Sequence, residues 1–426
     1  MKFIFADSLD LVDPHYDFEA DTFGPGREYY WGDQFAHEFL GSAPYDGILA
    51  SRAIVGDARL PGKYTEAQSM RFRREGARRF FRLDRPQFTH VLLFGDSGAF
   101  SYVTHEEPPF DAADMLAFYR DAGFTHGCAV DHIIFEFDRS LRGMAGGSAD
   151  ARRRYELTLA NAEAFLRERP HIAPELTPLG VVQGWSPGSM AEAARRLHAM
   201  GYDYIALGGM VPLNVESIHA CLAAVREVVP RARLHLLGFA KADHIAEFKR
   251  YGITSFDTTS PLLRAFKDAT RNYYRPNGAR GLDYFTAVRV PQALQNLRLN
   301  RAVKQGVFRQ EDLLVHEGKA LDALRRYDRG DAPVDEALQN VLDYARFLEW
   351  RPELPENALA KRLERLAAAY RRTLQSRPWD DCSCAVCRKA RIEVVLFRGS
   401  NRNKRRGFHN LWVYRQHVST ILNGSA

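Results

Sequence analysis

Cysteine is scarce in this sequence, with five in 426 residues, and the five lack the paired spacing of a secreted disulfide framework. A fold stapled by disulfides is therefore excluded. No apolar run is long enough to cross a bilayer, and no secretory apolar stretch stands near Met1, so a soluble, cytoplasmic protein with no membrane partner is expected. A large excess of one charge sign is also missing. The 59 Lys and Arg stand against 53 Asp and Glu, and the net charge of +6 permits a polyanionic partner without requiring one. What is plentiful is apolar residue, 46% of the chain, enough for one barrel-sized core with further segments.

Three of the few cysteines fall within six residues, Cys382-Ser383-Cys384-Ala385-Val386-Cys387, and His409-Asn410 follows. Thiolates and imidazole are ligands that zinc prefers, and four protein ligands leave no position for water, which makes such a site structural. The spacing predicts one Zn2+ held by Cys382, Cys384, Cys387 and His409, fastening the fold. A lone Cys-x-x-Cys would more often be ordinary free thiols; this concentration argues otherwise. Cys128 and Cys221 stand alone among apolar residues and are expected to be buried thiols.

Short apolar runs rich in branched residues recur between longer segments of helical period, the pattern of β-strand and helix units in a parallel sheet. Eight such runs are found: Lys2 to Ala6, Gly47 to Ser51, Thr89 to Gly95, Gly127 to Asp131, Leu179 to Gln183, Tyr204 to Gly208, Leu234 to Gly238 and Ile253 to Asp257. Amphipathic stretches lie between them, at Ala112 to Ala122, Ala149 to Arg167, Ser189 to Met200, Val215 to Val228 and Lys241 to Tyr251. The fold class is α/β: a (β/α)8 TIM barrel over residues 1–264, with its active site at the C-terminal ends of the strands. Residues 265–378 read as a helical insertion after strand eight, with helices at Leu321 to Tyr327, Val334 to Trp350 and Ala358 to Leu374. Residues 379–426 read as a C-terminal zinc-binding subdomain packed on the barrel.

The strand ends should then share one mouth, and they are polar: Asp96-Ser97, Asp131-His132, Gln183-Gly184, Gly208-Gly209 and Asp257-Thr258-Thr259. Any one aspartate here is more often a cap or turn residue. Three of them with a glutamine are another matter, because crowded carboxylates repel and need a purpose. One carboxylate can attack an anomeric carbon to give a sugar ester while a second moves the proton of the departing group. A further Asp with a Gln and backbone N–H groups suits the edge of a planar heterocycle such as guanine, and glycines let backbone approach a ring closely. Gly95-Asp96-Ser97-Gly98 also matches the serine protease nucleophile signature, but those enzymes are all-β, and the match is chance. A metal-dependent barrel hydrolase is disfavoured because, His132 apart, the strand ends lack the histidine ligands usual there.

Asp96-Ser97-Gly98-Ala99-Phe100, Val182-Gln183-Gly184, Leu207-Gly208-Gly209, Leu237-Gly238, Phe256-Asp257 and the Cys-x-Cys-x-x-Cys with His409-Asn410 resemble, in that order, the motifs of tRNA-guanine transglycosylases. That family consists of zinc-containing (β/α)8 barrels that exchange a guanine in nucleic acid for a 7-deazaguanine. The resemblance implies that Asp257 is the nucleophile attacking C1′ and Asp96 the general acid/base. It implies that Asp131, Gln183, Gly208 and Gly209 hold the base, with Met210 and Phe100 packing near it. Asp138 follows on the same stretch as an alternative to Asp131, and spacing from Gly123 favours Asp131.

The departures point to one branch. Where bacterial tRNA enzymes recognise an aminomethyl base, this chain reads Met210-Val211-Pro212-Leu213-Asn214, which suits an uncharged nitrile better than an ammonium group. The long insertion before the zinc cluster and the opening Met1 to Asp10 resemble the DpdA-like branch. Few residues follow His409, so the RNA-binding domain of archaeal members is not expected. The resemblance implies exchange of guanine in DNA for the free base 7-cyano-7-deazaguanine (preQ0), alongside a DpdB-type ATPase in a modification and restriction cluster. Whether the chain forms a homo-oligomer stays open. Arg398, Arg402, Lys404, Arg405 and Arg406 form a basic cluster beside the zinc residues and are expected to grip phosphates. Arg71, Arg73, Arg74, Arg78 and Arg79 form a second cluster, and Tyr29, Tyr30 and Trp31 are candidates for stacking on bases. Two alternatives remain: the same chemistry on tRNA, or a catalytically silent nucleic-acid-binding subunit, against which both Asp96 and Asp257 argue.

Overall fold

A computed structural model describes residues 1–239, 241–278 and 281–423. Eight parallel strands pair in chain order and close on themselves: β1 (Lys2–Ala6), β2 (Gly47–Ser51), β3 (Leu92–Asp96), β4 (His126–Cys128), β5 (Thr177–Val182), β6 (Tyr204–Leu207), β7 (Arg233–Leu236) and β8 (Ser255–Thr258). The closing ladder sets Phe3 opposite Phe256 and Ile4 opposite Asp257. Alternate residues of a strand face the same side, so the interior is filled by a buried cluster of Ile4, Leu49, Phe94, Cys128, Leu179, Val181, Tyr204 and Ala206. Cys128 and Cys221 are both buried, as expected.

Helices follow the strands at Glu66–Phe80, Ala112–Ala122, Ala149–Ile172, Pro187–Met200 and Val215–Val228. Each begins at a residue whose side-chain oxygen accepts a backbone N–H three positions on: Thr65, Asp111, Ser148, Ser186 and Asn214. Those bonds satisfy donors that the first turn leaves open. The connection between β7 and β8 differs from the α-helix its pattern suggests. Ala242–Tyr251 winds as a 3-10 helix, and its buried residues Ala242, Ile245 and Phe248 recur every three positions, the period of that tighter turn.

Strand β4 is only three residues long, so Asp131 sits in the loop beyond it rather than within the strand. Its neighbourhood is shaped by Tyr119, whose ring fills the space that a Cβ at Gly95 or Gly127 would need, at 2.2 and 2.5 Å. The Tyr119 hydroxyl donates to the Cys128 carbonyl at 2.9 Å.

The described residues form two compact units. One holds Met1–Leu9 and Tyr45–Ser260, the barrel. The other joins Asp10–Pro44 to the residues from Pro261 onward. The region read as a helical insertion and the region read as zinc-binding thus fall in one unit, which also takes the chain between β1 and β2. Its helices span Gln310–Arg329, Val334–Glu349, Glu356–Ser376, Ala385–Ala390 and Ser400–Asn423, and Tyr273–Pro276 pairs antiparallel with Leu282–Phe285. No helix among the described residues is long and apolar enough to cross a membrane.

Candidate active site

Asp131, buried just past β4, accepts a hydrogen bond from Gln183 Nε2 at 2.7 Å and one from Ser97 Oγ at 3.4 Å. The Tyr102 hydroxyl lies 2.7 Å from Ser97 Oγ and 3.0 Å from the Asp131 carbonyl oxygen. Gln183 is pinned at its other end, where Oε1 accepts from the Ile134 N–H at 3.3 Å. A carboxylate and an amide from neighbouring strand ends are thereby held in fixed orientation. Burial pushes the Asp131 carboxyl up to about 6, with the bonds from Gln183 and Ser97 opposing that rise. Asp138 is apart from this network: it is exposed, and its Oδ1 accepts from the Ser140 N–H and hydroxyl.

The glycines of the β6 end serve Gln183. A Cβ at Gly208 would lie 2.3 Å from Gln183 Nε2, and one at Gly209 would lie 3.2 Å from Oε1, at a φ of +69°. Met210, next in the chain, is buried. Phe100 is 55% exposed and faces Phe135, itself 52% exposed, at a ring distance of 6.2 Å. A pair of rings left in water at the rim of a polar mouth is suited to stacking on a flat ligand. A cavity of about 490 Å³ is lined by Val103, Ile134, Phe135, Glu136 and Arg154.

Asp257 is the penultimate residue of β8 and is buried. Its Oδ1 accepts from the Gly238 N–H at 2.9 Å and lies 3.1 Å from His235 Nε2. Asp96 ends β3, keeps part of its surface open, and accepts from the Gly98 N–H at 3.0 Å. Removal from water, followed by the charges of Asp131 and Asp257, pushes its carboxyl up to about 7. The three strand-end carboxylates therefore feel one another. Crowded acids of this kind retain a proton near neutrality, which equips Asp96 to give or take one.

His235 was missed in the sequence. It lies mid-strand in Arg233-Leu234-His235-Leu236, where an imidazole between two leucines marks an inward polar position, and nothing local says that it meets Asp257. Ser97 and Tyr102, which brace Asp131, were missed as supporting groups for the same reason.

In the second unit, Cys382, Cys384, Cys387 and His409 converge, with all four ligand atoms within 4.8 Å of one another. The three sulfurs lie 3.5, 3.5 and 3.3 Å from His409 Nδ1. A tetrahedral zinc ion with ordinary Zn–S and Zn–N lengths sets sulfur and nitrogen about 3.5 Å apart. His409 Nε2 lies 2.8 Å from the Tyr274 carbonyl oxygen, which accepts a hydrogen bond from the ring N–H and leaves Nδ1 as the ligand nitrogen. Tyr273 stacks on the ring at 4.1 Å. Asn410 ties the helix to its surroundings, accepting from the Tyr274 N–H and donating to the Pro261 and Asn272 carbonyls. These residues can bind a metal, and they leave no open coordination position.

The basic cluster is corrected by the structure. Arg398, Arg402, Arg405 and Arg406 are all buried, so their guanidinium groups are not available to phosphates. Arg398 pairs with Asp21 at 2.5 Å and Glu317 at 2.6 Å; Arg402 pairs with Asp21 and, at 2.7 Å, with Glu393. Arg405 donates to the Asp13 carbonyl and Asn401. Arg406 donates to the carbonyls of Ala265, Val394 and Leu396. Lys404 is partly exposed and pairs with Asp10 at 3.2 Å. Local charge density suggested a solvated patch, whereas partners up to 394 residues away in sequence, as Asp10 is from Lys404, neutralise it. In the earlier cluster, Arg73 and Arg78 donate to backbone carbonyls, while Arg73, Arg74 and Arg79 are exposed, Arg74 beside Glu75. Tyr29 and Trp31 are 74% and 61% exposed, while Tyr30 is buried.

The chain matches no family model. It is 39% identical over 426 residues to a protein of Salmonella montevideo named DNA-guanine transglycosylase, with 99% of this chain and 98% of that protein covered. With a closed eight-stranded barrel and polar strand ends already established, the chain belongs to this transglycosylase family and is a guanine transglycosylase.

Proposed function

We propose that the enzyme exchanges guanine in DNA for preQ0 by a two-step, ping-pong reaction through a covalent aspartyl-nucleoside, as a member of the DpdA-like branch. Asp257 attacks C1′, the bond from C1′ to N9 breaks, and Asp96 gives its proton to the departing guanine. The incoming base then surrenders its N9 proton to Asp96, N9 attacks C1′, and Asp257 leaves as carboxylate. Protons balance over the cycle. Asp131 and Gln183 hold the edge of the base that guanine and its 7-deaza relative share, and Phe100 covers its face.

The observation that carries this reading is the electrostatic meeting of Asp96 with Asp257 and Asp131, which raises Asp96 to about 7. DNA is favoured over tRNA by the name of the Salmonella montevideo relative and the identity along nearly the whole of both chains. A stacked base conceals C1′, so the target nucleotide is flipped out or taken from an unpaired strand. Exposed Phe100, Phe135, Tyr29 and Trp31 are available for stacking on bases. One zinc ion, held by Cys382, Cys384, Cys387 and His409, braces the fold and takes no part in the exchange. A DpdB-type ATPase is the proposed partner in the cell.

The test is incorporation of radiolabelled guanine into duplex DNA, single-stranded DNA and tRNA, with denaturing gels for the covalent adduct. Incorporation into DNA and loss of the adduct in Asp257→Ala are expected. Label entering tRNA alone would move the substrate to tRNA, and an undiminished adduct in Asp257→Ala would remove that residue from the role.

A further inference from the structure

Tyr204, Ser255, His235 and Asp257 form a continuous buried chain through the barrel interior. Strand geometry puts them there. Ser255 and Asp257 are two apart on β8 and so face the same side, and His235 of β7 is in register with Ser255. The contacts run from Tyr204 Oη to Ser255 Oγ at 2.5 Å, from Ser255 Oγ to His235 Nδ1 at 2.6 Å, and from His235 Nε2 to Asp257 Oδ1 at 3.1 Å. Phe94 stacks on the imidazole at 5.4 Å, which holds the plane of the ring.

With a neutral imidazole donating to a carboxylate at Asp257, the hydrogens of this chain run in one direction. Burial pushes the Tyr204 phenol up to about 12, so it keeps its proton, and Ser255 Oγ is the acceptor in reach. Ser255 then directs its own hydrogen to His235 Nδ1, which must carry a lone pair. The ring hydrogen is left on Nε2, aimed at Asp257 Oδ1, to which the Gly238 N–H also donates at 2.9 Å.

We infer that His235 is a positioning residue that holds Asp257 by Oδ1, so that Oδ2 is the attacking oxygen, and that it stabilises the carboxylate leaving group in the second half of the exchange. This rests on Asp257 being the nucleophile. In the first step Oδ2 forms the bond to C1′ and the carboxylate charge vanishes; Oδ1 becomes the ester carbonyl oxygen. In the second step the bond from C1′ to Oδ2 breaks and its electron pair returns to the carboxylate. Two N–H donors on Oδ1 favour the charged form, so their effect is greatest on release of the sugar. Ser255 and Tyr204 act one link further back, by fixing which imidazole nitrogen bears the hydrogen.

The experiment follows the adduct formed on single-stranded DNA and chased with free guanine, in the full chain. In His235→Phe, which keeps a ring but has no donor, release of the adduct is expected to slow roughly tenfold or more, as for loss of a charged hydrogen bond, while KM for guanine changes little. The adduct then accumulates. His235→Gln, whose amide can donate to Asp257 and accept from Ser255, is expected to restore release to within about threefold of wild type. Ser255→Ala, the smaller change should His235→Phe not fold, is expected to slow release in the same direction. Release at the wild-type rate in His235→Phe or in Ser255→Ala would overturn the inference, as would a Gln variant no better than Phe. Asp257→Ala run in parallel separates the two readings, because an adduct surviving there overturns the nucleophile itself.

Discussion

Gly208 and Gln183 are matched to one another: the space a methyl group at position 208 would occupy is filled by the Gln183 amide nitrogen, 2.3 Å away. The obstructing atom is the end of a flexible side chain, and the φ of Gly208 is not in the left-handed region. Gly208→Ala is therefore expected to fold, but with Gln183 displaced from its 2.7 Å bond to Asp131. Losing that bond at a buried carboxylate corresponds to about 1–3 kcal/mol, so KM for the free base should rise roughly tenfold or more with a smaller change in kcat. Base-exchange kinetics at varied guanine concentration read this directly.

The acid role proposed for Asp96 makes the first half of the reaction sensitive to pH. Its carboxyl is pushed up to about 7, and only the protonated form can supply the departing guanine, so single-turnover adduct formation is expected to fall as pH rises through about 7. Stability has a related dependence. An Asp carboxyl free of the fold titrates at 3.8, so between about 4 and 7 the folded state holds an extra proton and stability declines as pH rises through that window. Asp96→Asn should remove the penalty, melting higher than wild type at pH 8 and alike at pH 4, by thermal melts across that range.

The thiol and imidazole cluster gives a metal prediction. Purified protein is expected to hold one zinc ion per chain by elemental analysis, and Cys384→Ser to hold almost none and to melt lower. The proposed exchange routes no step through the ion. After partial chelation, activity should thus fall only in proportion to the fraction unfolded.

Arg402 is buried between Asp21 and Glu393. Removing one member of such a network leaves uncompensated buried charge, and Arg402→Met is expected to cost about 3–5 kcal/mol. Chemical denaturation measures the loss. The salt dependence of DNA binding should not change, since the side chain is not at the surface; a shallower salt slope in a folded variant would return Arg402 to the phosphate contacts.

Much of the barrel was legible because its cause is local. β1 and β2 appear at the residues where the apolar runs lie, as do the helices at Ala112–Ala122 and Val215–Val228, since alternation and helical period are written in consecutive residues. β4 stops at Cys128, although the apolar run continues, because its ladder ends there. The sequence marked Asp96, Asp131, Gln183 and Asp257 as strand-end polar groups, and the structure gathers Asp131 with Gln183 and couples Asp96 to Asp131 and Asp257. Pairings across the chain were not legible. His235 against Asp257 depends on the register of β7 with β8, and the fate of the Arg398 to Arg406 run depends on Asp21, Glu317 and Glu393. The glycines at 208 and 209 were read as room for a ligand ring, and the close neighbour is the enzyme's own glutamine.

Arg402 and Asp21 stand 381 positions apart, and this has a meaning for biosynthesis. A ribosome releases residues 10–44 long before the helix Ser400–Asn423 that clasps them. During most of translation that early segment waits without its clasp, its aromatic side chains open to chaperones and proteases. A polypeptide interrupted anywhere before Ser400 would thus betray itself at the opposite end.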